Sequence, residues 1–130
     1  MVETYIGHGF GSVRPYVYAA PDIYDLVEIF EGEVIESAET RCGTHIEAKI
    51  GDSIIVFELC DRSPGRDIPA SIYVYVKDVD TTLRRAGKAG FTIIREAANT
   101  LYHERAGGIR DSFGNTWWVS TYTGEVEGAS

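Results

Sequence analysis

Apolar positions along the chain recur with two different periods. Val13 to Ala20 is β-branched and aromatic enough for a strand, with Pro15 near its start, where a missing N–H is tolerated. Pro21-Asp22 breaks the run. Ile23, Leu26, Val27 and Phe30 then follow at i, i+3, i+4, i+7, which predicts a short amphipathic helix ended by Gly32. Three strands come next: Glu33 to Arg41, Thr44 to Ile50, and, after a Gly51-Asp52 turn, Ser53 to Cys60. Within the second, Ile46, Ala48 and Ile50 alternate with His45, Glu47 and Lys49. Asp61 to Pro69 is rich in charge, Pro and Gly and reads as a linker.

The second half repeats the order. Ile72 to Val76 predicts a strand. Asp78 or Asp80 can cap a helix carrying Val79, Leu83 and Ala86, and Gly90 ends it. Phe91 to Arg95 predicts a strand, followed by an irregular stretch, a strand over Glu104 to Arg110, a Gly114-Asn115 turn and a last strand over Thr116 to Tyr122. The tail from 123 to 130 is expected to fray. The chain is thus read as a single α+β domain of two βαβββ modules, about 10–61 and 70–122, joined by the linker at 61–69. Neither module is large enough to bury its own helix and sheet comfortably, so the two should pair.

Composition narrows the function classes. Among 130 residues, 12 basic residues stand against 20 acidic ones, a net charge of −8. A nucleic-acid groove needs clustered positive charge, so neither a nucleic acid nor an anionic membrane surface is an expected partner. A cationic ligand suits this balance. Cys42 and Cys60 show no C-x-x-C spacing and read as buried thiols of a cytoplasmic protein, not a disulfide framework. Met1 to Phe10 has no signal-peptide pattern, and no apolar run approaches the roughly 20 residues that span a bilayer.

Four strings in order, GFGSVRPYV (Gly9 to Val17), THIEAKIGDS (Thr44 to Ser53), VYVKDVDTTLRRAGKAG (Val74 to Gly90) and IRDSFGNTWWVST (Ile109 to Thr121), resemble the vicinal oxygen chelate superfamily. That superfamily holds glyoxalase I, bleomycin-resistance proteins and extradiol dioxygenases, and the strings look like its small PhnB-like branch. The resemblance implies glyoxalase-like half-barrels that enclose a site, paired in a homodimer. It also implies metal ligands near the start of each module's first strand and within its last strand. Those positions fall on Pro15, Glu58, Ser71 and Trp118. Of these only Glu58 is a credible ligand, while a Ni, Zn or Fe site normally needs three or more. No cofactor is therefore expected. A divalent metal, if present, falls to His45, Glu47 and Glu58.

His45 and Glu47, two apart on a strand, share one face, and Glu58 joins them if it points the same way. Such a cluster suits acid/base work, with the carboxylates tuning the histidine, or forms a hydrogen-bonded polar wall. Trp117 and Trp118 point to opposite faces; Trp118 is expected to line the cavity with Tyr73 and Tyr75, as ligand-binding aromatics or as core filling. Tyr102 and Arg105 lie near a site mouth, where Arg105 meets a ligand carboxylate or pairs with a neighbouring acid. His8 and Tyr5 sit in an N-terminal arm that suits covering a partner chain. Gly107-Gly108 lacks the spacing of a phosphate loop, and no Ser-His-Asp arrangement is visible. The leading expectation is a metal-independent protein that binds an aromatic or cationic small molecule in a dimer cavity. The alternatives are a divalent-metal-dependent lyase, isomerase or dioxygenase, and a metal-free acid/base enzyme.

Overall fold

The computed structural model describes residues 5–41, 43–60 and 68–124. Cys42, most of the linker (61–67) and the end of the tail (125–130) lie outside the described residues. The first module runs β1 (Tyr16–Ala19), α1 (Ile23–Ile29), β2 (Glu33–Glu39), β3 (Gly43–Ile50) and β4 (Ser53–Cys60). The second runs β5 (Ser71–Tyr75), α2 (Val79–Lys88), β6 (Thr92–Asn99), β7 (Glu104–Arg110) and β8 (Thr116–Tyr122). Each module forms a four-stranded sheet, ordered β1-β4-β3-β2 and β5-β8-β7-β6, with its first strand parallel to its last.

The doubled βαβββ order agrees with the reading of the sequence, and the departures have local causes. β1 is shorter than Val13 to Ala20 because the chain before it is fastened differently: the Arg14 side chain donates to the carbonyls of Gly7, Phe10 and Gly11. β6 is longer than Phe91 to Arg95. Arg95-Glu96-Ala97-Ala98 carries no β-branched signal, yet pairing with β7 extends it, with register shifts at Arg95 and Ala98. Asp78, not Asp80, caps α2, accepting from the Thr81 N–H at 3.1 Å. The turn after α1 places Glu31, not Gly32, in the left-handed region (φ 62°) while Gly32 N–H reaches back to the Val27 carbonyl at 2.8 Å.

Each helix lies on one face of its sheet, and the two buried faces merge into one core. Val17, Ile46, Ile55 and Phe57 of the first sheet, Ile23 and Leu26 of α1, Val74, Ile109 and Val119 of the second sheet, and Val79 and Leu83 of α2 all belong to that core. Trp117 joins the two. It is fully buried, its ring 5.6 Å from Phe30 and 6.1 Å from Phe57, and its indole N–H donates to Asp111 at 3.0 Å. Asp111 also accepts from the backbone N–H groups of Phe113, Gly114 and Asn115. That turn presents Asn115, whose side chain accepts from Ala70 N–H at 2.7 Å and donates to the Tyr18 carbonyl at 2.8 Å. The second module is thereby latched onto the first, and the opposite faces of both sheets carry the polar and aromatic side chains.

Candidate functional site

On the first sheet the antiparallel register of β3 and β4 sets His45 directly across from Glu58, and the pleat puts Glu47 two residues along on the same face. His45 Nδ1 lies 2.9 Å from Glu58 Oε2, and Nε2 lies 3.1 Å from Glu47 Oε2. Both ring nitrogens thus meet carboxylates, an arrangement that only the doubly protonated imidazolium satisfies in full. Hydrogen bonds to Glu47 and to Glu58 outweigh the cost of burial and raise the His45 pKa above its ordinary value. Arg14 Nη1 donates to the other oxygen of Glu47 at 3.1 Å. His8, in a 3-10 turn over Gly7–Gly9, lies 3.3 Å from Glu36 and 4.0 Å from the same Glu47 oxygen. The N-terminal arm therefore borders its own chain's cluster. Beside Glu58, across β1, stands Tyr18, in edge contact with Tyr16 and stacked on Phe113.

On the second sheet, Tyr73 and Tyr75 share one face of β5, opposite Trp118 and Ser120 of β8. Glu104 begins β7, two strands away. Its carboxylate reaches over Ser120, which lies opposite Ala106, and accepts the Ser120 hydroxyl at 2.6 Å. The Tyr73 hydroxyl donates to one oxygen of Glu104 and the Tyr75 hydroxyl to the other. Glu104 is only 6% exposed, whereas Tyr73 and Tyr75 are 46% and 60% exposed. Burial pushes the carboxyl upward, but the Ser120, Tyr73 and Tyr75 hydroxyls overcome it and hold it below its ordinary value. Burial and Glu104 push Tyr73 up to about 12, and hydrogen bonding to Glu104 raises Tyr75. At neutral pH the group is a carboxylate bonded by two intact phenols.

Trp118 lies over Gly108, where a side chain would collide: a Cβ there falls 2.8 Å from the ring. Its indole N–H donates to Ser71 Oγ at 3.1 Å, and the Arg95 guanidinium sits 5.6 Å from its centroid.

The sequence-predicted residues thus divide. His45, Glu47 and Glu58 form one cluster; Tyr73, Tyr75 and Trp118 line the equivalent face of the other sheet. Arg105 joins neither, because it points to the helix side and forks onto Asp80 at 2.7 and 3.0 Å. Tyr102 is exposed in the turn before β7. Cys60, at the end of β4, is half-buried. The reading of the sequence missed Glu104 and Ser120 as site residues, although strand alternation places Ser120 on the Trp118 face; Arg14 lies outside regular structure and gave no periodic signal.

The superfamily's metal does not fit these residues. Ser71 and Trp118 satisfy one another, and Pro15 offers no side-chain donor. His45 engages Glu47 and Glu58 from opposite edges of its ring, so the three donors do not converge on one point. Among the described residues, no three His, Cys, Asp or Glu side chains are grouped to hold a metal ion. Nor is any described helix long and apolar enough to cross a membrane.

Comparison with solved structures places the same architecture elsewhere. TioX from Micromonospora sp. ML1 superposes with a TM-score of 0.66 at 19% identity, covering 85% of this chain and 95% of that one. A superfamily member from Sphaerobacter thermophilus gives 0.64 at 14% identity, covering 86% and 98%. A PhnB protein from Bacillus cereus, described as a putative 3-demethylubiquinone-9 3-methyltransferase, gives 0.60 at 7% identity, covering 85% and 98%. An uncharacterized protein of Mycobacterium bovis is 34% identical over 58 residues, 45% of this chain and 38% of its own length. The match thus spans little more than a third of that relative. The family profile for the glyoxalase/bleomycin resistance protein/dioxygenase superfamily matches residues 24–119. With that match over most of the chain and the doubled βαβββ fold beneath it, the protein belongs to the glyoxalase/bleomycin resistance protein/dioxygenase superfamily.

Proposed function

We propose that this protein binds a small aromatic or cationic molecule without the superfamily's metal, in a cavity completed by a second copy of the chain. One observation carries the reading. At two positions where the resemblance implies ligands, Ser71 and Trp118 are bonded to each other, and a half-buried aromatic ring stands in place of a metal donor. That ring shares its sheet face with the exposed rings of Tyr73 and Tyr75, a surface suited to stacking and unsuited to activating water or oxygen. The test is calorimetry on chelator-treated protein against planar aromatic and organic-cation compounds, with the assembly state followed by sedimentation. Saturable binding to a dimer, weakened by Trp118→Ala, is the expected result. No binding by any compound overturns the proposal.

A second reading rests on His45. An imidazolium held between Glu47 and Glu58 can give up a proton to a ligand carbonyl, which suits a metal-free acid/base enzyme. It requires turnover that falls steeply in His45→Gln while ligand affinity stays within a factor of a few. Equal turnover in that variant removes it.

A further inference from the structure

Glu104 is a buried carboxylate whose partners are all neutral. It accepts from Ser120, Tyr73 and Tyr75, and no Lys, Arg or His among the described residues pairs with it. The first-sheet cluster differs: there Glu47 and Glu58 face His45 and Arg14. The negative charge on the second sheet is screened from water yet left uncancelled, behind two exposed rings 5.5 Å apart.

The direction of the hydrogen bonds decides what that surface attracts. Both phenols spend their protons on Glu104, so they present only oxygen lone pairs and ring faces outward. Donation to a carboxylate also polarises each phenol, which enriches the ring in electrons and strengthens its pull on a cation. A carboxylate or phosphate meets repulsion here from lone pairs, ring quadrupoles and Glu104 alike. The rings also wall a cleft of about 400 Å³ whose other side is Val13, Pro15 and Ile54 of the first module. That cleft supplies apolar contact beside the electron-rich rings.

We propose that Tyr73, Tyr75 and Glu104 form a subsite for an organic ammonium ion, the charged head on the tyrosine rings and its apolar body along Val13 and Pro15. This deepens the proposed function and rests on the reading that the open sheet faces bind a small molecule. It adds a selection rule, cations over neutral isosteres.

Choline and its neutral isostere 3,3-dimethylbutan-1-ol share shape and differ in charge, as do benzyltrimethylammonium and neopentylbenzene. Each probe is titrated into the full chain, with Tyr73 and Tyr75 ring resonances as the readout. The expected result is that each ammonium binds at least about tenfold tighter than its isostere and shifts both rings. Glu104→Gln should remove most of that preference, read as a fall in the ratio of ammonium to isostere affinity. Equal affinity of the paired probes, or ammonium binding that leaves both rings unshifted, overturns the subsite while the small-molecule reading stands. Failure of all four probes, together with failure of the aromatic compounds above, counts against the small-molecule reading itself. The paired probes need no variant, so the test survives even if Glu104→Gln fails to fold.

Discussion

His45 sits between two carboxylates, one at each ring nitrogen. Free in an unfolded chain it titrates near 6.5; in the fold, Glu47 and Glu58 raise that value. The imidazolium therefore binds its proton more tightly in the folded state. The resulting stabilisation is fully present below about pH 6.5 and is lost as pH rises through the folded pKa. Urea midpoints should fall across that window in the wild type, and His45→Gln should remove that part of the decline. A proton-resonance titration locates the folded pKa directly; a value at or below 6.5 contradicts the arrangement. The cluster was largely legible beforehand, because period-two alternation fixes which side of β3 carries His45 and Glu47. Arg14 was not, since its role comes from side-chain bonds to loop carbonyls that leave no periodic trace. Glu104 was hidden for another reason: it reaches Tyr73 and Tyr75 directly across the intervening strand β8, and that relation appears only when register is known.

At the scale of elements, the hairpin strands β4 and β8 match their expected bounds because turn chemistry brackets them: Gly51-Asp52 before one, Asp111 and Gly114 before the other. β6 was mistaken in length because Arg95 to Ala98 carries helix-compatible residues and is extended only by its partner strand. The glycine pair in β7 has a packing reason. Gly107 leaves room for Leu83 of α2, where a Cβ would fall 2.5 Å away, and Gly108 leaves room for Trp118 on the opposite face. These two glycines set how closely the helix and the site tryptophan approach the sheet. Gly108→Ala should destabilise the protein by about 1–3 kcal/mol through overpacking and shift Trp118 fluorescence. Unchanged stability with an unchanged emission maximum would show that Trp118 does not rest on Gly108.

Across the whole molecule, the two modules divide the work by face. Their helix sides share a core through Trp117, Phe30 and Phe57, and the Asp111–Asn115 turn latches one sheet to the other. Their other faces present chemically distinct surfaces: a charge-compensated cluster around His45 and an electron-rich aromatic one around Glu104. The net charge of −8 adds a field that favours cations over anions at both. The fold hosts many chemistries, so the donor set and not the architecture carries the functional argument. Metal content is the most direct test. The protein is loaded with Ni, Zn, Fe and Mn in turn, desalted, and assayed by plasma mass spectrometry. The account predicts far less than one ion per chain for every metal. About one tightly held ion per chain or per dimer, lost in His45→Ala or Glu58→Ala, would contradict it.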